Sequence, residues 1–284
     1  MRTIRFICAS LLILIVAAEG LADLRIRTRT TLGSDYYDEV YYFKGARERE
    51  ERILKNGRSG ITFIYQCDVK QQVNLLDQIK KYTVETFQQM RDEDAIYRAE
   101  YQRRHPQPRP GRGGLITYTY AVTDTGERRE LYGFPARRIK SIITVAPSPE
   151  ACFQEGYRFE IDGWYIDLLY GLRCSPNISG AELYEGAFEG QEFIEMPGRP
   201  DWTPKKRKNC RDSDDWSEYR RVSEARMGFP ASLTITHYDR AVGGTPYVTR
   251  REIVEVSRDN LDDALFKVPE EYTQIPVHHE YSYR

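Results

Sequence analysis

Apolar and polar residues alternate in short runs along most of the chain. Residues 24–31 place Leu24 and Ile26 among arginines and threonines, and residues 60–67 (GITFIYQC) combine β-branched and aromatic residues. Successive side chains of a β-strand point to opposite faces, so such runs are typical of half-buried strands. The same pattern predicts further strands at residues 39–44, 69–76, 80–87, 115–123, 127–145, 157–168, 217–225, 231–238 and 247–256.

Residues with turn chemistry separate these runs. They are Asn56-Gly57, Asp77-Gln78 and Asp124-Thr125-Gly126, the last of which we predict to be a hairpin turn. Strands that follow one another through turns favour an antiparallel meander over β–α–β units. One helix is predicted at residues 85–104, which are rich in Gln, Glu, Arg and Ala, and residues 261–266 predict a closing helical turn.

The N-terminus has the three-part pattern of a secretory signal peptide. Arg2 and Arg5 precede the almost wholly apolar residues 6–18, and small residues follow at Gly20 and Ala22. The apolar run is too short to span a bilayer comfortably. We therefore expect residues 1–22 to be cleaved off after about Ala22, with export to the periplasm or the extracellular space.

The remaining chain is predicted to form one β-rich domain at residues 23–272, with residues 273–284 as a disordered tail. Residues 171–215 contain four prolines, several glycines and the basic run 205–208. This composition predicts an irregular excursion from the domain.

Charge and composition narrow the range of partners. Without residues 1–22 the chain loses two arginines and one glutamate, and its formal charge changes from −1 to −2. A nearly neutral domain with interspersed charges has no electrostatic case for binding nucleic acid. The basic run 205–208 leaves peripheral membrane contact open, although nearby aspartates dilute its charge. The oligomeric state also stays open.

Cysteine usage agrees with an oxidising compartment. Cys8 lies in the signal peptide, and Cys67, Cys152, Cys174 and Cys210 remain as disulfide candidates. Four cysteines allow three pairings, which the sequence leaves open. A Cys174–Cys210 bond is weakly preferred because both residues border the excursion, and a buried free thiol is the alternative for Cys67. Their spacing contains no C-x-x-C, which argues against zinc, and we expect no metal or cofactor.

The sequence contains no recognisable catalytic motif. Only one of the four histidines, His237, lies in a predicted strand, and neither G-x-S-x-G nor H-E-x-x-H is present. Acidic pairs such as Asp162 with Asp167 would serve a hydrolase only if they faced each other across a cleft. We therefore predict a protein that is not an enzyme and name no catalytic residues, with an exported hydrolase as the third hypothesis.

One aromatic segment is more informative. Residues 162–168 (DGWYIDL) place Trp164 and Ile166 on one face of a predicted strand, and Tyr165 and Asp167 on the other. Trp164 is therefore either a core residue of the sheet or part of the lining of an apolar groove.

Six groups of residues carry a resemblance to a known family. They are residues 44–49 (KGARER), 66–68 with 80–84, 126–137, 162–165, 227–230 and 266–272. In this order they resemble motifs of bacterial exported proteins of unknown function with the fold of the periplasmic lipoprotein carriers, the LolA/LolB-like superfamily. Two features depart from the family pattern: Glu271 stands where the motif has glycine, and simple carriers lack the excursion at residues 171–215.

The resemblance implies an α+β fold that is mainly antiparallel β, with an open half-barrel and helices packed on its concave, apolar face. It also implies a non-enzymatic protein that binds a hydrophobic ligand, such as a lipid, or a lipidated partner. We expect the ligand groove near Phe63, Tyr65, Trp164 and Ile166. An envelope protein-interaction or sensory module with a filled groove is the alternative.

Overall fold

The computed structural model of the protein describes residues 23–92, 96, 113–152, 154, 156–168, 213–215, 228–239 and 246–277. The predicted signal peptide, the predicted strand at residues 217–225 and nearly all of the excursion lie outside this part of the chain. So do Cys174 and Cys210.

In the described part of the chain, thirteen strands form one sheet. They are β1 (Leu24–Leu32), β2 (Asp35–Lys44), β3 (Arg47–Leu54), β4 (Ser59–Gln66), β5 (Gln71–Leu76), β6 (Lys81–Thr86), β7 (Leu115–Leu131), β8 (Phe134–Pro147), β9 (Tyr157–Ile166), β10 (Ser213–Asp215), β11 (Phe229–Asp239), β12 (Tyr247–Ser257) and β13 (Thr273–Gln274). Their spatial order is β10-β7-β8-β9-β11-β12-β1-β2-β3-β4-β5-β6-β13, and β10 and β13 form the two edges. The edge strands pair in parallel with their neighbours, and every other pair is antiparallel. The predicted mainly antiparallel class is therefore confirmed, as an open sheet.

Helix is scarce in the described residues. The helix predicted to start at residue 85 begins at residue 87 instead, because Glu85 and Thr86 still belong to β6. The structure describes it continuously to residue 92. Thr86 and Gln89 form a capping box, in which each side chain accepts a hydrogen bond from the other residue's backbone N–H. A 3₁₀ helix at Asp263–Phe266 confirms the predicted closing turn. Helices packed on a concave face are not confirmed.

The hairpin between β7 and β8 turns later than predicted. Asp124 to Gly126 do not reverse the chain, because β7 continues through them with a register shift before Arg128. The turn lies at Tyr132 and Gly133, which both have positive φ, 56° and 75°. Two successive residues of this kind are what a type I′ hairpin turn requires.

The sheet has a buried apolar face, which we call the inner face. Leu24 and Ile26 on β1 pair across the strands with Phe43 and Tyr41 on β2, and all four are buried. They join one apolar cluster whose other buried members are Ala136, Ile166, Leu168, Phe229, Ala231 and Ile253. The cluster joins side chains of β8, β9 and β11 to side chains of β1, β2 and β12, and burying this apolar surface stabilises the sheet.

The sheet bends so that its β7–β8 end lies over β12. The Tyr132 hydroxyl at the hairpin tip donates a hydrogen bond of 2.8 Å to the carbonyl oxygen of Ile253. The Arg258 guanidinium lies 4.8 Å from the ring centroid of Phe134, on the same hairpin. Because β9 and β11 separate β8 from β12, these contacts require a strongly curved sheet.

The C-terminal segment crosses the other face, the outer face, from β12 to the far edge. Phe266 is buried there in a cluster with Ile64, Val73, Leu75 and Leu261. Three side chains of the sheet donate hydrogen bonds to backbone carbonyls of this segment: Lys44 to Leu261, Arg49 to Leu265 and Gln66 to Phe266.

The segment ends as β13 on β6, where the Thr273 and Ile275 backbone N–H groups bind the carbonyls of Lys80 and Tyr82. The chain therefore stays in the sheet past the predicted domain boundary at residue 272. Within the described residues, no helix combines the length and the apolar character needed to cross a membrane.

Candidate functional site

Two rows of side chains cross the inner face over β2, β3 and β4, and each row runs aromatic, carboxylate, aromatic. The rows are Phe43–Glu48–Tyr65 and Tyr41–Glu50–Phe63, in which neighbours are direct cross-strand partners. Such partners have Cβ atoms about 5 Å apart, and residues two apart in a strand are separated by about 7 Å. We call these six residues the aromatic–carboxylate patch.

Strand β3 supplies the carboxylates because its charged residues alternate between the two faces. Arg47, Arg49 and Glu51 are opposite outer-face residues of β2, whereas Glu48 and Glu50 are opposite inner-face residues. The outer-face charges are matched, since Arg49 pairs with Glu51 at 2.5 Å and Arg47 pairs with an aspartate of the next turn. Among the described residues, Glu48 and Glu50 have no hydrogen-bond or ion-pair partner.

Burial raises the pKa of both inner carboxyls. The pKa of Glu48 rises to about 8, chiefly through desolvation and also through the charge of Glu50. Desolvation and the charge of Glu39 raise the pKa of Glu50 to about 7, against the opposing effect of two arginines. Both side chains are half-buried, so solvent reaches them although protein surrounds them closely. The protonated form is therefore favoured at neutral pH far more than for an ordinary glutamate, and more strongly at Glu48 than at Glu50.

A matched ion-pair cluster lies beside the patch. Glu39 is buried between Arg52 and Arg251, each 3.1 Å from one of its carboxylate oxygens, and accepts a hydrogen bond of 3.2 Å from Tyr41. Burial alone would raise the pKa of Glu39, but the two arginine charges outweigh it and hold that pKa below its ordinary value. The inner face thus holds one compensated carboxylate next to two that lack a partner in the described chain.

The structure brings two of the four predicted groove residues together. Phe63 and Tyr65 lie side by side on β4, with ring centroids 6.4 Å apart, and both belong to the patch. Ile166, on β9, is fully buried in the apolar cluster that contains Tyr41. Trp164 packs against that cluster, with the guanidinium of the arginine at position 129 lying 3.8 Å from its ring centroid.

Cys67 and Cys152 are both disulfide-bonded. The alternative of a free thiol at Cys67 is therefore wrong. The preferred bond between Cys174 and Cys210 falls outside the described residues and stays a prediction.

The carboxylates considered for a hydrolase are held in separate ion pairs. Arg138 binds Asp162 at 2.7 Å and lowers its pKa, while Arg137 binds Asp167 at 2.6 Å. The imidazole of His237 is stacked in an aromatic group, with a ring centroid 4.1 Å from that of Tyr247. Among the described residues, no three His, Cys, Asp or Glu side chains converge to hold a metal ion.

Comparison with known proteins gives no family. No protein-family profile and no curated protein matches the chain. An uncharacterized conserved protein from Thermus thermophilus is similar in structure, with a TM-score of 0.37 and 9% identity over 90% of this chain and 91% of that chain. PNGF-II has a TM-score of 0.34 and 9% identity over 90% of this chain, which spans 32% of the PNGF-II chain. Likenesses this distant decide nothing about function, and the relation to lipoprotein carriers stays a prediction.

Glu48 and Glu50 are not among the site residues predicted from the sequence, although one signal points to them. Residues 47–52 (REREER) are all charged, and they lie between two aromatic-rich runs with turn residues at both ends. Short turns at Gly45 and at Asn56-Gly57 force this charged stretch to pair with both neighbours. A charged strand enclosed in this way must place some of its charges on the buried face.

Proposed function

We propose that the protein is an exported, non-enzymatic binding protein whose ligand is apolar over most of its length. The observation that supports this proposal is the aromatic–carboxylate patch. Phe63 and Tyr65 are half-buried on the inner face, beside the two carboxyls that lack partners in the described residues. Partly accessible aromatic surface combined with a few unmatched polar groups is typical of sites that bind small molecules.

In this proposal the curved, open sheet acts as a half-barrel of the lipoprotein-carrier type, and the patch lies on its concave side. The apolar part of the ligand, a lipid chain or the lipid of a modified partner, packs against Phe63 and Tyr65. The polar end lies toward β3. The hairpin contact between Tyr132 and β12 supports the required curvature.

Native mass spectrometry of the mature protein, purified from an oxidising compartment, tests this proposal. We expect an apolar adduct that is lost on denaturation and that organic extraction recovers. The double variant Phe63→Ala/Tyr65→Ala should lose the adduct. Tyr238→Ala, which removes an exposed aromatic residue on β11, should keep it.

A clean mass for the unliganded protein, together with no binding of added apolar probes, would overturn the proposal. Far-UV circular dichroism of each variant shows whether a lost adduct reflects a lost fold.

A further inference from the structure

We infer that the ligand carries an organic cationic group of the ammonium type, which binds to Glu48 and Glu50 between the aromatic residues of the patch. This inference rests on the proposed function and specifies the chemistry of its site.

The charge pattern of β2, β3 and β4 supports a cation. Seven acidic residues lie between Asp35 and Asp68, and the two without an ion pair in the described residues are Glu48 and Glu50. The other five are paired: Asp35 with Lys55, Asp38 with Arg29, Glu39 with Arg52, Glu51 with Arg49 and Asp68 with Arg47. An enclosed carboxyl without a partner either keeps its proton or binds a cation. The two unmatched groups thus leave room for a positive charge from outside the chain.

The aromatic neighbours favour an organic cation over a metal ion. Glu48 has Phe43 and Tyr65 as its cross-strand partners, and Glu50 has Tyr41 and Phe63. An ammonium group is attracted both by a carboxylate and by the faces of aromatic rings, which is how quaternary ammonium ligands are recognised. The rings offer a metal ion little coordination, and the described carboxylates do not converge on one point.

The protonation of the patch sets the direction of a pH effect. The charge of Glu39 opposes ionisation of Glu50, whereas the charges of Arg52 and Arg251 favour it. The charge of Glu50 in turn opposes ionisation of Glu48. A cation binds the ionised carboxyls, so its affinity should rise as pH increases through about 7 and about 8. A neutral hydrogen-bond acceptor or an anion would prefer the protonated carboxyls, so its affinity should fall as pH increases.

Isothermal titration calorimetry with three amphiphiles of equal chain length tests the inference on the mature chain. The probes are decyltrimethylammonium, decyl maltoside and decyl sulfate, all below their micelle concentrations, at about pH 6 and about pH 9. The quaternary ammonium keeps its charge at both values, so any change reports the protein. We expect the affinity for decyltrimethylammonium to be at least about tenfold higher at the higher pH than at the lower pH, as a charge-assisted contact would give.

Two variants decide whether the carboxyls cause the effect. The double variant Glu48→Gln/Glu50→Gln should abolish the pH dependence of decyltrimethylammonium binding and reduce its affinity by about tenfold at the higher pH. Glu51→Gln, which neutralises a carboxylate on the outer face of the same strand, should preserve both. Thermal unfolding of each variant confirms that the folded protein is compared.

The remaining outcomes separate the inference from the proposed function. If all three probes bind with equal affinity and Phe63→Ala/Tyr65→Ala weakens the binding of each, the apolar site is supported but the inference of a cationic ligand is wrong. If decyl sulfate binds more tightly than decyltrimethylammonium at the lower pH, the inference of a cationic ligand is also wrong. If no probe binds at either pH, both the inference and the proposed function fail.

Discussion

Replacing Glu48 by Gln should make the protein more stable, by an amount that is negligible at acidic pH and grows as pH rises from 4.5 toward 8. The carboxyl of Glu48 has an ordinary pKa of 4.5, which burial and the charge of Glu50 raise to about 8 in the folded protein. Below pH 4.5 the folded and unfolded chains both hold the proton, so the group has no effect on stability. As pH rises toward 8 the unfolded chain ionises and the folded chain does not, which progressively favours unfolding. Glutamine cannot ionise and removes this effect.

The size of the effect follows from the same pKa difference. Each pKa unit corresponds to about 1.4 kcal/mol, so the gap between 4.5 and about 8 sets an upper bound of about 5 kcal/mol. Glu48 is half-buried, and solvent screening lowers the real value. We therefore expect Glu48→Gln to raise the free energy of unfolding by about 1–3 kcal/mol near pH 8 and by almost nothing near pH 4.

Urea-induced unfolding of the wild type and the variant at both pH values measures this difference. Glu51→Gln is the matched control, because Glu51 lies next to Glu50 on β3 but faces the other side of the sheet. Its carboxylate pairs with Arg49 at 2.5 Å and accepts a hydrogen bond from Tyr42 at 3.3 Å. Removing that charge should reduce stability near pH 8 by about 1 kcal/mol, the opposite sign.

Two results would refute the reasoning about Glu48. An equal effect of Glu48→Gln at both pH values would mean that the carboxyl is not desolvated in the folded protein. A loss of stability near pH 8 would mean that Glu48 is ionised there and has a partner.

Three further predictions concern the fold. Phe266→Ala should reduce the free energy of unfolding by about 3–5 kcal/mol, because this residue is 1% exposed and anchors the C-terminal segment; an unchanged urea midpoint would contradict this anchoring. Gly163→Ala should reduce the free energy of unfolding by about 1–3 kcal/mol in the same assay, since its Cβ would lie 2.2 Å from Cδ2 of Leu233 and 3.1 Å from the backbone carbonyl oxygen of Ser232. A neutral result would mean that the Leu233 side chain moves aside freely. Cys67 and Cys152 should resist alkylation in denaturant until a reductant is added, as peptide mass mapping would show.

Strands whose alternation is apolar could be predicted from the sequence. In β1, Leu24 and Ile26 are buried, whereas Arg25 and Arg27, which alternate with them, are only half-buried, as the pattern requires. The glycine turn at Asn56-Gly57 also lies where its chemistry places it, with a φ of 75° at Gly57. Local propensity and burial agree at these positions, and such agreement is what makes a short segment predictable.

Features that depend on distant contacts could not be predicted in this way. Tyr132 adopts a positive φ that tyrosine does not favour, at a tip whose hydroxyl binds the carbonyl of Ile253. The sequence signal was stronger at Gly126, where the strand only shifts register. Phe266 finds its partners on β4 and β5, about two hundred residues earlier in the chain, and no local pattern reports that contact.

Strand β3 lacks the alternation of apolar and polar residues that is typical of a half-buried strand. This departure supports a functional site. A one-residue slip of β3 would exchange its faces, placing Arg49 on the inner face and separating it from the carbonyl of Leu265. The outer-face contacts therefore fix the register that places Glu48 and Glu50 inside. For stability alone, apolar residues at these two positions would serve better, because unmatched enclosed carboxyls oppose folding above acidic pH. A local rule broken without compensation inside the described part of the chain is expected where a protein serves a function, and a bound cation would supply the missing compensation.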